Sequence, residues 1–76
     1  MSANKELIQL AHTKMPFGKY EGYFLVDLPE HYLVWYQNKG FPSGKLGNQL
    51  QLIYEIKLNG LEGLIRQIKK QYPKPE

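Results

Sequence analysis

The sequence predicts an α+β fold, in which an N-terminal helix, one β-hairpin and three further helices pack on one another. Two observations predict this class. Apolar residues recur at helical spacing in four segments. Between the first two lies a stretch rich in aromatic and β-branched residues, and Pro16 and Gly18 within it favour extended chain over helix. The 76 residues make a single domain, with its core over about 4–71 and a frayed tail over 72–76.

The first predicted helix runs from Asn4 to Thr13. Leu7, Leu10 and Ala11 fall at positions i, i+3 and i+4, which places them on one face. A helix of this length is marginal alone, because helices below about 12 residues rarely persist in water. We therefore expect it to dock on the rest of the domain.

The predicted hairpin covers Met15 to Leu28. It turns at Glu21-Gly22, because glycine allows the positive φ that a two-residue hairpin turn requires. The cross-strand pairs that follow are Tyr20 with Tyr23, Lys19 with Phe24, and Phe17 with Val26. The face expected to lie in the core carries Met15, Phe17, Phe24 and Val26. A two-stranded hairpin is unstable alone, so helices must cover that face.

The second helix is predicted to begin at Leu28-Pro29-Glu30, with proline at the first helical position. Its cap is Asp27 or Leu28. The helix is predicted to end at Gly40, a residue suited to the left-handed position that follows many helices.

Two more helices follow a loop over 40–44. The third is predicted from about Lys45 to Leu58. Asn59 is predicted to cap the fourth helix, with Glu62 as its reciprocal partner three residues later. The apolar stripe of this last helix consists of Leu61, Leu64, Ile65 and Ile68.

Composition excludes several classes of protein. The chain has no cysteine, which excludes disulfides and thiolate zinc sites. Its net charge of +3 is compatible with an anionic partner but does not demand one. The N-terminal residues lack the uninterrupted apolar segment of a secretory signal peptide. No apolar run approaches the roughly 18 residues that a membrane-spanning helix needs. We expect a cytoplasmic protein with no membrane partner.

No set of residues predicts catalysis. His12, His31 and Glu30 lack the convergent spacing of a zinc site. The loop from Gly40 to Lys45 resembles a phosphate-binding loop only faintly, because it is one residue short and no hydroxyl residue follows the lysine. The sequence predicts that the protein is not an enzyme, with no catalytic residue, no cofactor, no metal and no small-molecule substrate.

A combination of lysines and aromatic residues predicts binding to nucleic acid. Aromatic rings stack on bases, while lysines neutralise phosphates. The alternative is that the tyrosines form a cross-strand packing pair and the lysines only solvate the surface. The candidate binding residues are Lys14, Lys19, Tyr20, Tyr23, Lys39 and Lys45.

The second predicted helix carries more aromatic surface than one small core needs. Tyr32, Trp35 and Tyr36 cover much of its circumference. Excess apolar surface is typical of an interface. The second hypothesis is therefore a protein-interaction or regulatory module that uses these three residues, as a homodimer or with a protein partner.

Four segments together resemble a known family: MPFGKYEG at 15–22, LPEHYLVW at 28–35, GFPSGKLG at 40–47 and YEIKLNGLE at 54–62. The resemblance is to a small bacterial domain family of unknown function, some of whose members are labelled quorum-sensing-regulated virulence factors. Segments similar to the first two also occur attached to exonuclease-like proteins. The resemblance therefore implies a role connected with nucleic acid, by analogy of domain company, and implies no catalytic residues.

Overall fold

The computed structural model describes residues 5–73, so Asn4 and the tail residues 74–76 lie outside its range. The α-helices are α1 (Lys5–His12), α2 (Glu30–Lys39), α3 (Lys45–Leu58) and α4 (Glu62–Gln71), with a 3₁₀ helix, Leu25–Asp27, between α1 and α2. No β-strand occurs within residues 5–73. The predicted α+β class is therefore wrong, because this part of the chain is all-α. None of the helices over this range is long and apolar enough to span a membrane.

A chain reversal over residues 13–25 replaces the predicted hairpin, and we call it the folded-back segment. Its two arms meet at one isolated antiparallel bridge, between Lys14 and Phe24. Beside the bridge, the Met15 N–H donates to the Tyr23 carbonyl oxygen at 2.8 Å. The predicted cross-strand pairs that do not form are Lys19 with Phe24 and Phe17 with Val26.

The reason lies in the residues between the two arms. Pro16 has no N–H for a ladder of hydrogen bonds. Gly18 has a φ of 82°, and its carbonyl accepts from the Glu21 N–H at 3.2 Å. A second turn follows, in which the Tyr23 N–H donates to the Tyr20 carbonyl at 3.0 Å. Local turns thus use the backbone groups that two strands would have shared.

The core is aliphatic throughout. All ten aromatic side chains of the sequence lie within residues 5–73, and none of them is fully buried. Of the predicted core face, Met15 and Val26 are buried, whereas Phe17 is 47% exposed. The buried apolar residues are Leu10, Ala11, Met15, Leu25, Val26, Leu28, Leu33, Leu50, Ile53, Ile65 and Ile68.

Helix α2 begins one residue later than predicted, and its cap differs. Pro29 is the cap residue, with its carbonyl oxygen accepting from the Tyr32 N–H at 3.1 Å. The predicted cap, Asp27 or Leu28, is wrong. Asp27 lies in the 3₁₀ helix, where its Oδ1 pairs with Arg66 of α4 at 3.0 Å. The predicted end is confirmed, because Gly40 follows α2 with a φ of 102°.

Helix α3 has the predicted bounds, and the loop before it packs tightly on its first turn. Gly47 lies where a Cβ atom would be 1.6 Å from the Pro42 carbonyl oxygen. No other residue can occupy this position unless the loop moves. At the far end, Asn59 does not cap α4 as predicted. Its Nδ2 donates to the Glu55 carbonyl at 2.8 Å and closes α3, while Leu61 is the residue before α4.

Helix α4 buries only half of its predicted apolar stripe. Ile65 and Ile68 lie in the core, whereas Leu61 and Leu64 are exposed. Its main partner is α1, which packs against it more extensively than any other two elements pack. A hydrogen bond of 2.9 Å between Nε2 of His12 and the Tyr72 carbonyl joins the ends of these two helices.

Candidate functional site

Seven of the ten aromatic side chains form one continuous chain of ring contacts, which we call the aromatic ribbon. It draws residues from four parts of the fold. The turns of the folded-back segment, α2, the loop after α2, and α3 each contribute. In order of contact, the ribbon runs through Tyr23, Tyr20, Tyr32 and Tyr36, which then contacts both Trp35 and Phe41, and Phe41 contacts Tyr54.

The geometry of the ribbon is mostly edge-to-face. Tyr20 lies 5.4 Å from Tyr23 and 4.7 Å from Tyr32, between ring centroids. Tyr36 lies 5.2 Å from Tyr32 and 5.0 Å from Trp35. These distances fall in the range in which aromatic pairs attract beyond simple burial of area. The ribbon is therefore a cohesive surface layer.

Helix α2 places the ribbon beside the core. Tyr32 and Tyr36 are one turn apart and so share a face. Leu33, next to Tyr32, is fully buried and anchors the helix. Gly18 lets the folded-back segment turn towards this face, because its φ of 82° lies in the left-handed region that favours glycine.

The ribbon is most exposed at two of its ends. Tyr23 and Trp35 are each 51% exposed. The three tyrosines between them are half-buried and pack against the core residues. An external ligand would therefore meet the end rings first.

Positive charge accompanies both exposed ends. The Lys19 ammonium lies 5.6 Å from the centroid of the Tyr20 ring, within cation–π range. Lys39, the last residue of α2, is exposed and lies one turn beyond Trp35 on the same face. Tyr20 in turn contacts Tyr23, so a lysine is near each end.

Three acidic residues, Asp27, Glu30 and Glu62, act electrostatically on Lys57. Burial lowers the pKa of Lys57, and Glu62 beside it acts in the opposite direction. Glu30 also acts on this lysine, and it projects from the side of α2 opposite Tyr32, since two residues advance a helix by about 200°. Glu30 and Tyr32 therefore lie on opposite sides of α2.

The hydroxyl of Tyr32 is shielded inside the ribbon. Burial raises its pKa to about 12, and a hydrogen bond to the side chain of Tyr36 acts in the same direction. The nearby hydroxyl of Tyr20 adds to the effect. Tyr32 therefore stays neutral at any physiological pH and serves as a packed internal member of the ribbon.

Members of both groups of predicted site residues meet in the ribbon. Lys19, Tyr20 and Tyr23 were assigned to nucleic acid, and Tyr32, Trp35 and Tyr36 to a protein interface. The contact between the rings of Tyr20 and Tyr32 joins the two groups.

Two of the predicted lysines lie away from the ribbon. The Lys14 ammonium is 5.1 Å from the Phe24 ring centroid, and Lys69 of α4 lies over the same ring at 3.1 Å. Lys45 borders a surface hollow of about 360 Å³ between α1 and α3. That hollow is lined by Glu6, Gln9, Gly44, Lys45, Asn48, Gln49 and Leu52.

No metal centre accompanies the ribbon within residues 5–73, where no group of three His, Cys, Asp or Glu residues could hold an ion. His12 bonds to the Tyr72 carbonyl instead, and His31 is an exposed residue of α2.

Comparison with known proteins identifies the family. Residues 3–68 match the family described as "Putative quorum-sensing-regulated virulence factor". The chain belongs to this family. It is 49% identical over 67 residues to "Uncharacterized protein YpeB" of Escherichia coli strain K12, an alignment that covers 87% of this chain and 93% of YpeB. YpeB of Escherichia coli O157:H7 matches with the same figures. No solved structure matches the chain.

The family match confirms the resemblance seen in the four sequence segments, and it leaves the function open. The matched residues include the whole aromatic ribbon, from Tyr20 to Tyr54. Phe41 and Tyr54 belong to the ribbon but were not among the predicted site residues. Their contact with the other rings depends on the packing of α2 on α3, which no local sequence pattern reports.

Proposed function

We propose that this family member is a non-catalytic module that binds nucleic acid through the exposed ends of the aromatic ribbon and the lysines beside them. The observation that supports the proposal is the placement of the rings. The core contains no aromatic residue among the residues described, although aromatic side chains are normally among the largest contributors to burial. Five of the seven ribbon rings are partly buried against the core, so the two exposed rings, Tyr23 and Trp35, are the ones that call for an explanation other than packing.

The surface has both elements that a nucleic-acid strand needs. Rings such as Trp35 and Tyr23 can stack on bases, and this interaction tolerates any base sequence. Lys19 and Lys39 can neutralise phosphates and release counterions. Glu30 lies on the side of α2 opposite Tyr32, so its carboxylate does not oppose an anionic ligand on that face of the helix.

Packing explains only the middle of the ribbon. Each edge-to-face contact contributes roughly 0.5 to 1.5 kcal/mol beyond area burial, which accounts for Tyr20, Tyr32 and Tyr36 as structural residues. Trp35 leaves half of its surface in solvent, so only part of this large ring contributes to the packing of the fold. A binding role accounts for keeping so large a ring exposed.

The test is a titration of fluorescently labelled oligonucleotides, single-stranded and duplex, at two salt concentrations. We expect binding that weakens steeply with salt, and Lys19→Glu/Lys39→Glu should reduce affinity at low salt by about tenfold or more. The matched control is Lys5→Glu/Lys70→Glu, which changes the net charge equally at exposed lysines outside the ribbon. Absence of binding by the unmodified protein, or equal losses in the two double variants, would contradict the proposal.

A second candidate function is self-association through α2. The observation that favours it is the exposure of two large apolar side chains of α2, Val34 and Trp35. Exposed apolar surface is typical of protein interfaces when it is contiguous. Sedimentation velocity over a wide concentration range tests it. A monomer at the highest concentration would remove this candidate, and a dimer that Trp35→Lys dissociates would support it.

A further inference from the structure

We infer that the ligand of the aromatic ribbon is an unpaired strand of nucleic acid whose bases stack on Trp35 and Tyr23. This inference rests on the proposed function and names its substrate class. Nucleic acid in general could bind through lysine and phosphate alone, whereas this inference requires free base faces. Such stacking needs aromatic rings with an open face.

The inner tyrosines have little ring surface left for a ligand. Tyr20 contacts Tyr23 and Tyr32, and Tyr36 contacts Tyr32, Trp35 and Phe41. Each inner ring thus has at least two aromatic neighbours in addition to the core against which it packs. These rings are positioned to support the end rings rather than to receive a base.

The two end rings have fewer aromatic neighbours than the inner rings and more exposed surface. Trp35 contacts one ring, Tyr36, at an interplanar angle of 77°, and Tyr23 contacts one ring, Tyr20, at 80°. A T-shaped contact of this kind does not cover both faces of a ring. Since each of the two end rings is half exposed, each can accept a flat base on an open face.

A duplex cannot use these two rings in the same way. Bases inside a duplex are covered on both faces by their neighbours, so stacking on a protein ring requires a base outside the stack. The lysines beside the end rings attract the phosphates of either form. Preference for an unpaired strand is therefore the property that the end rings add.

The distance between the end rings sets the number of nucleotides that one bound strand needs to contact both of them. Four ring-to-ring steps of 4.7 to 5.4 Å separate Tyr23 from Trp35. The end rings are therefore at most about 20 Å apart, the length of about six nucleotides at the stacked spacing of 3.4 Å and of fewer if the strand is extended. We expect affinity for a single site to stop rising at about this length.

The experiment uses the full chain and its single tryptophan. The probes are an oligothymidylate of about six nucleotides, an abasic strand with the same number of phosphates, and a duplex of the same length, all at low salt. We expect the thymidine strand to quench the fluorescence of Trp35 and to bind roughly tenfold more tightly than the other two. Equal affinity for the thymidine and abasic strands would overturn the inference, while salt-dependent binding of both would leave the proposed function standing. No binding of any strand would overturn both.

Variants test the two stacking positions with labelled strands and anisotropy. Trp35→Leu should weaken binding of the thymidine strand by about tenfold and leave binding of the abasic strand unchanged. Phe17→Leu is the matched control, since Phe17 is a similarly exposed ring outside the ribbon. Tyr23→Leu repeats the test at the other end. Equal effects of Trp35→Leu and Phe17→Leu, or an equal loss for the thymidine and abasic strands, would overturn the inference.

Discussion

The aliphatic core and the aromatic ribbon divide the large side chains of this protein by chemical type. The core holds leucine, isoleucine, valine, alanine and methionine, and within residues 5–73 it holds no aromatic residue. The ribbon holds only tyrosine, tryptophan and phenylalanine. Such a division separates two tasks, because the core can fix the fold while the ribbon keeps ring surface available. Changes in one region should therefore leave the other largely intact.

Helix α2 belongs to both regions and gives the sharpest contrast. Leu33 is fully buried and Trp35, two residues later, is 51% exposed. The helix is otherwise weakly amphipathic, since Leu33 is its only buried residue. One leucine thus anchors a helix whose other large side chains face the ribbon or the solvent.

The largest expected loss of stability follows substitution of the buried residue of α2, Leu33. Leu33→Ala removes a fully buried side chain and should lower the free energy of unfolding by about 3 to 4 kcal/mol, including the cost of the cavity left behind. A domain this small has little stability to spare. Urea denaturation followed by far-UV circular dichroism measures the loss.

Trp35→Ala is the matched substitution on the ribbon side. We expect it to lower the free energy of unfolding by roughly 1 to 2 kcal/mol, less than Leu33→Ala, because half of the Trp35 surface is already exposed in the folded state. Equal losses in the two variants would show that the two regions are not separate in energy, and that Trp35 is a core residue in solution.

The second prediction concerns the junction between the regions, where the loop that carries Phe41 rests on α3. Gly47→Ala forces a Cβ atom against the Pro42 carbonyl oxygen and should cost about 2 to 3 kcal/mol through displacement of the loop. It should also weaken the stacking of Phe41 on Tyr36, whose centroids are 6.0 Å apart. Thermal unfolding and near-UV circular dichroism report the two effects.

Gly63→Ala is the control for this substitution. Gly63 is also helical, and a Cβ there would meet nothing within 4 Å. Alanine at such a position stabilises a helix by roughly 0.5 to 1 kcal/mol. If both variants were stabilised, the close approach of the loop to α3 would be refuted.

The smallest expected effect is the dependence of the free energy of unfolding on the protonation of Tyr32 in the ribbon. The pKa of Tyr32 is raised to about 12 in the folded state, above its value of about 10 in the unfolded chain. The unfolded state therefore loses this proton first, and the stability that depends on neutral Tyr32 declines as pH rises through the window from 10 to 12.

Tyr32→Phe should remove this part of the pH dependence while keeping the ring. A pKa difference of two units corresponds to at most about 2.7 kcal/mol. Because Tyr32 is only partly buried and solvent screens its hydroxyl, we expect the unmodified protein to lose roughly 1 kcal/mol more stability than the variant across that alkaline window. Chemical denaturation at several pH values measures it. Parallel curves for the two proteins would indicate that the Tyr32 hydroxyl is not shielded.

The sequence was sufficient for the helices whose signals are local. The bounds of α3 and the end of α2 at Gly40 follow from periodicity and from a positive-φ glycine. The hairpin was predicted wrongly because its aromatic residues favour strands locally. Pro16 has no N–H to donate, and the two successive turns form local hydrogen bonds with backbone groups that a β-ladder would need. Only a single bridge therefore forms between the two arms.

Most ribbon members were predicted from the sequence, whereas Phe41, Tyr54 and the arrangement of the rings were not. Lys19, Tyr20 and Tyr23 are close in sequence, so one motif suggested them together. Their contact with α2 depends on how the folded-back segment docks, a long-range event that periodicity does not encode. For the same reason Lys14, a neighbour in sequence, was assigned to the same surface although it lies against Phe24.

The packing of α1 on α4 has a consequence for how the chain folds. These two helices stand at opposite ends of the sequence, and the bond from His12 to the Tyr72 carbonyl spans 60 positions. A helix of eight residues has little stability before it docks. We therefore expect α1 to become stable only when it packs on α4. During synthesis the domain can therefore complete its core only after α4 has left the ribosome, which makes its folding late and cooperative.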